Sequence, residues 1–322
     1  MARCRDVKLS ARLFNDSVNP SVQRGDDADR NALRATRADP IPRGDDGAVR
    51  QNMRMRKVLV GSTAVVLAIV IVLVGAAAVD FGTTIYAEYR LARTVRDTGH
   101  LGFDPFVAIL GFPVIPQAMR DRYDDVEIKA AGVDRPVIGK ATLEATMHSV
   151  DLTDASWLIR PDAKLRVGKL ESRIIIDSLH LGRYTGIRDL MVEAPPQETN
   201  NATGGTTESG ISSNHGLVFT GTPKSAHFDK QVSVSVDLSM AGDDKTTLVF
   251  TPTGVLTGPN TANQKVPDDK RDAVLAAFAG KLPDQRLPFG VVPTSQGARG
   301  SDVIIEGITT GLNITLDGFN RP

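Results

Sequence analysis

Five histidines, His100, His148, His180, His215 and His227, are the side chains best suited to move a proton or hold a transition metal near neutral pH. They are scattered, and no two stand at a ligand-pair spacing. His148 and His180 fall on the polar side of expected strands, where solvent exposure is the expectation. Carboxylate doublets at Asp124-Asp125, Asp243-Asp244 and Asp268-Asp269 have the chemistry for acid–base work. Each stands where a turn or a helix start is expected, and there carboxylates cap amides or face water. Asp27-Ala28-Asp29 has the form of a metal-binding pair but lies in a tail of biased composition. A Gly-x-Ser-x-Gly nucleophile elbow and a dinucleotide fingerprint are both absent from the sequence. Gly139-Lys140 has the look of a phosphate loop, but Gly132 stands at the wrong distance. Ala141 also replaces the hydroxyl residue that such a loop uses on its metal. The only cysteine is Cys4, so the rest of the chain forms no internal disulfide and no thiolate zinc site. The residues therefore point to a protein that is not an enzyme and carries no cofactor.

Charge and hydropathy say where such a protein works. The 322 residues hold 38 basic and 38 acidic side chains, but the balance hides an asymmetry. Residues 1–57 carry a net charge of +5 and the remainder −5. Between them, residues 58–79 form 22 positions without a charge, a helix of roughly 33 Å and long enough for a bilayer core. Arg50, Arg54, Arg56 and Lys57 precede the run, whereas Asp80 and Glu88 come before the first following cation, Arg90. The positive-inside rule then puts the N-terminus in the cytoplasm and residues 80–322 outside the cell membrane. A signal-anchor is the favoured reading, although Ala76-Ala77-Ala78 would suit a cleavage site and Met53 would suit a later start. Residues 1–57, rich in Arg, Asp, Gly and Pro, are expected to be a disordered cytoplasmic tail. Aromatic residues make up only 5% and do not alternate with basic ones, so nucleic acid is not an expected partner.

The exported part needs elements to build a core. Phe81, Ile85, Tyr89, Ala92 and Val95 recur at helical spacing up to Gly99, and this stripe is expected to be core. A short strand over 104–110 precedes the breaker Gly111-Phe112-Pro113, and a two-turn helix is expected over 114–123. Strict alternation follows at 126–130 and 141–147, then further strands at 165–181, 232–240, 247–250, 303–308 and 312–316. A second helix is expected at 268–279, and residues 195–215 form a low-complexity loop. The expected fold class is α+β: a long curved antiparallel sheet with few helices to cover it, preceded by one transmembrane helix. Such a sheet must curl on itself or leave an apolar trough able to hold a lipid tail, and periodicity alone does not separate a trough from a packed core.

The stretch Phe-Val-Ala-Ile-Leu-Gly-Phe-Pro-Val-Ile-Pro-Gln-Ala-Met-Arg-Asp-Arg-Tyr-Asp-Asp-Val-Glu-Ile-Lys-Ala over 106–130 resembles the signature of the LmeA family, actinobacterial envelope proteins related to the lipomannan elongation factor. Leu287-Pro288-Phe289-Gly290 and the strands after it look like that family's C-terminal portion. Val114 stands where the family usually has a second Phe, and the 195–215 loop looks long. The resemblance implies a tubular lipid-binding fold with the sheet wrapped around a helix. It also implies phospholipid as partner, with phosphatidylinositol species the named candidates, and a supporting role in cell-envelope lipid or lipoglycan assembly in the periplasm. Under that implication Phe106, Ile109, Phe112, Ile115 and Met119 line the groove, with Leu143 and Met147 opposite. Arg120 and Arg122 would meet the phosphate headgroup. The rival expectation is an extracytoplasmic protein-docking module with a fully packed core.

Overall fold

A computed structural model describes residues 46–152, 160, 162–195 and 210–321, with side chains from residue 62 onward. Cys4, Asp27-Ala28-Asp29 and most of the 195–215 loop lie outside the described residues. Helix α1 runs from Asp46 to Thr98, so it begins within the segment expected to be a tail and continues unbroken through the apolar run. Its described part holds a stretch long and apolar enough to cross a membrane.

The elements after α1 are β1 (Phe106–Leu110), α2 (Val114–Ala118), β2 (Arg122–Arg135), β3 (Gly139–Leu152), β4 (Lys164–Asp177) and α3 (Ser178–Thr185). They are followed by β5 (Met191–Glu193), β6 (Leu217–Gly221), β7 (Val232–Ala241), β8 (Thr247–Leu256), α4 (Asp268–Phe278), β9 (Gly280–Leu282), β10 (Ser295–Arg299) and β11 (Asp302–Thr315). The fold is α+β, with every strand pairing antiparallel. The strands divide between two sheets, one of order β1-β2-β3-β4-β11-β10 and one of order β5-β6-β7-β8-β9. Both contribute to one apolar cluster, in which Phe219 and Phe250 of the second sheet meet at 6.0 Å between ring centres.

The first sheet keeps one apolar face although its strands shift their alternation part-way along. In β3 the buried apolar positions are odd from Ala141 to Met147, and then Val150 is buried. β4 switches from Leu165 and Val167 to Leu170, and β2 from Tyr123 to Val126. The switches fall on one row, where Ser149 and Gly311 take φ of +52° and +66° on either side of Gly168. A single-residue irregularity reverses which side chains point inward. Because neighbouring strands carry it at the same level, the apolar face stays continuous.

Of the boundaries that differ from the sequence reading, three have a clear local reason. β11 is one strand because Gly311 supplies the positive φ that interrupts its alternation. β4 stops at Asp177, whose carboxylate accepts from His180 N at 2.7 Å and caps α3. α2 ends at Ala118, since Asp121 turns through φ +52° and its carbonyl accepts from Leu152 N, starting β2.

Candidate functional site

The two acidic residues after the apolar run decide which face of α1 docks. The Asp80 carboxylate is buried and accepts from Val114 N (2.9 Å) and Ile115 N (2.7 Å), while Glu88 Oε1 accepts from Ile109 N (2.9 Å). These bonds tie α2 and β1 to one side of the helix, where Ala87, Leu91, Ala92 and Val95 enter the core. Phe81, Ile85 and Tyr89 therefore point away and are exposed, a correction to their expected place in the core. A buried carboxylate is stable only when such donors are supplied. Sequence reasoning used Asp80 and Glu88 for orientation alone; their spacing around the buried arc was the available sign of a docking role.

Gly111-Phe112-Pro113 forms the turn between β1 and α2. Gly111 has φ +90°, and a Cβ there would come within 2.8 Å of Gln117 Nε2. Buried Gln117 donates to Gly111 O at 2.8 Å and accepts from Asp124 N at 2.9 Å, clamping α2 between β1 and β2. Phe112 is thrust outward and stacks on Phe81 at 5.5 Å.

The residues expected to line one groove fall into two sets. Phe106, Phe112 and Met119 are exposed, at 60%, 63% and 81%, and Ile115 is half-buried. Ile109, Leu143 and Met147 are buried, the last two completely. Of the two headgroup candidates, Arg122 is paired with Asp151 at 2.5 Å, which raises its pKa. Arg120 is exposed and donates Nε to Pro116 O.

Space for a ligand lies elsewhere on the surface. A cavity of 540 Å³ is lined by Phe289, Leu312 and Ile314 together with Lys164 and Arg321. It combines an apolar wall with two cations, and Arg321 also pairs with Asp317 at 3.1 Å. Its volume falls in the usual range for small-molecule sites. A second cavity, of 730 Å³, lies along Met191, Val218, Thr220 and Thr261. A third, of 410 Å³, is lined by Gln285, Leu287, Val291 and Val292. Sequence reasoning used Phe289 and the 312–316 strand only as marks of the family; that they share a cavity wall was not legible, since only the fold brings the end of β11 beside Phe289.

The titratable residues form a ladder on the outer face of the first sheet. His148 Nδ1 meets Asp125 at 2.5 Å and Nε2 meets Glu171 at 3.5 Å, so it is half-buried between carboxylates. Its expected exposure is corrected by these cross-strand partners. Arg173 bonds Glu306 and Glu171, both at 2.6 Å, and Lys129 meets Glu144 at 2.5 Å. Burial disfavours the Arg173 charge, but Glu306 and Glu171 outweigh it and raise its pKa. Burial would likewise raise Glu171, yet Lys169, Arg173 and His148 hold it below the usual carboxylate range. Among the described residues no cluster has the makings of a metal site. Two of the three acidic doublets sit as expected: Asp268 and Asp269 open α4, and Asp244 accepts from Thr246 in the β7–β8 turn, whereas Asp124 and Asp125 lie within β2 and not in a turn.

No match is found among curated proteins or among solved structures. A family model described as LmeA-like phospholipid-binding matches residues 78–308, from the end of the apolar run into the first half of β11. The match takes in β1, the Gly-Phe-Pro turn, α2 and both sheets, and the chain belongs to the LmeA-like phospholipid-binding family.

Proposed function

We propose that this chain is a phospholipid-binding protein held by α1 at the extracytoplasmic face of the cell membrane, where it supports cell-envelope lipid or lipoglycan assembly without catalysing a reaction. The family supports phospholipid as ligand, and the charge asymmetry around residues 58–79 supports the orientation. The observation that carries the site is the cavity walled by Phe289, Leu312 and Ile314 and edged by Lys164 and Arg321. An acyl chain gains by leaving water for the apolar wall, at about 0.8 kcal/mol per buried methylene. A phosphate gains from guanidinium and ammonium groups at the edge. Phosphatidylinositol species are the proposed ligands. Leu143 and Met147 belong to the packed core in this reading, and the exposed Phe106, Phe112 and Met119 contact lipid from the surface.

Native mass spectrometry and solvent extraction of the full chain, purified in mild detergent, test this. A co-purifying phospholipid is expected, and Arg321→Glu, at an exposed position, should lower its retention with folding unchanged. A chain that carries no lipid and takes none from phosphatidylinositol vesicles would instead favour the docking module, whose packed core the complete burial of Leu143 and Met147 already resembles.

A further inference from the structure

Helix α1 is apolar on its outer side beyond the point where the uncharged run ends. Past Asp80 the outward positions are Phe81, Ile85, Tyr86 and Tyr89, all large and all exposed. The Arg93 guanidinium lies over the Tyr89 ring at 4.6 Å. Tyr86 stands about 10 Å along the helix from Val79. Aromatic residues followed by arginines at that height match the composition of a membrane–water interface.

The turn before α2 adds a second part to the same surface. Phe112 stacks on Phe81, which sets it at the first turn after Val79. The Asp80 carboxylate holds the backbone of Val114 and Ile115 at the same level. Met119 follows Ile115 by one helical turn and is 81% exposed. Exposed apolar patches of this kind mark interaction surfaces. What covers this one is indicated by its continuity with the exposed apolar side chains of α1 from Val65 to Val79.

We infer that the base of the domain is seated in the bilayer, with Phe81, Ile85, Phe112 and Met119 in the outer-leaflet interface and Tyr86 at the headgroup level. The inference rests on the reading of α1 as a membrane span. It gives the α2 tip a task distinct from the cavity at Phe289 and Leu312: it holds the domain against the leaflet. The exposed Arg120, next to Met119, then faces lipid phosphates, whereas Arg122 stays with Asp151.

The test uses the full chain in a Cys4→Ser background, with single spin-labelled cysteines, reconstituted into phosphatidylcholine vesicles. Val70→Cys reports the span, Met119→Cys the seat, and Val137→Cys the turn between β2 and β3, where Val137 is exposed. Collision with oxygen is compared with collision with a water-soluble nickel chelate. Val70→Cys should read as hydrocarbon. Met119→Cys should show a several-fold higher oxygen-to-nickel ratio than Val137→Cys. If Met119→Cys matches Val137→Cys while Val70→Cys is in lipid, the seat is wrong and the span stands. An aqueous Val70→Cys would overturn the span and the seat together. A Met119→Cys label shielded from both reagents would mean that protein covers the patch, which also overturns the seat.

Discussion

Met147 and Met119 have the same side chain, and the family resemblance implied that both line one groove. In the structure Met147 is completely buried in the row Val126–Met147–Leu170, whereas Met119 is 81% exposed beside the turn that carries Phe112. One belongs to a sheet whose strands shift their alternation at one level and so keep a single apolar face inward. The other caps the C-terminal end of the five-residue helix α2, which Asp80 and Gln117 tie down on its inner side, leaving its outer side bare. Hydrophobic periodicity identifies an apolar position, but the polar bonds of the neighbouring backbone decide whether that position packs or faces outward.

Substitution should separate the two regions sharply. Met147→Ala is expected to cost about 2–5 kcal/mol, because a buried side chain leaves a cavity, and Met119→Ala to stay within about 0.5 kcal/mol. Urea unfolding of the full chain in detergent, followed by circular dichroism, measures both; equal costs would break the comparison. Asp80→Ala removes two hydrogen bonds to a carboxylate, and about 2 kcal/mol is expected. The loss should be local, with faster amide exchange over residues 114–119 and none in β3. Unchanged exchange there would mean that α2 is held by something else.

The ladder on the outer face sharpens the contrast through pH. Glu171 has a folded pKa below its unfolded value, so the stability it lends is present above about pH 4.3. That stability is lost as pH falls through the folded value. Glu171→Gln should flatten the acid limb of Tm against pH, by less than about 1 kcal/mol after solvent screening. An unaltered acid limb would show that Lys169, Arg173 and His148 do not act on this carboxylate. The smallest effect belongs to Arg122→Ala, since an exposed pair with Asp151 contributes within about 0.5 kcal/mol; a thermal melt would detect anything larger.

Much of the fold was legible from the residues. The alternations at 126–130, 141–147 and 232–240 become the buried faces of β2, β3 and β7, and the breaker Gly111-Phe112-Pro113 is a turn that glycine's freedom makes feasible. The division into two sheets was not legible, because alternation shows that a strand has an apolar side and says nothing about which strand it pairs with. The site was legible in part. The 106–130 stretch pointed to the family, but assigning its apolar residues to one groove required knowing which face of α1 docks. Asp80 and Glu88 settle that through contacts 34 and 21 residues away in sequence. The wall of Phe289, Leu312 and Ile314 depends on pairing at still longer range, beyond the reach of any local pattern.

The most direct measurement is photo-crosslinking of the full chain in vesicles that contain a phosphatidylinositol analogue with a diazirine on its acyl chain, followed by peptide mass spectrometry. Adducts are expected on residues 289, 312–315 and 318, which line the cavity, and on 112–119 at the proposed membrane seat. Residues 141–147 should carry none. Adducts concentrated on 141–147, or a chain that carries no adduct at all, would contradict the account.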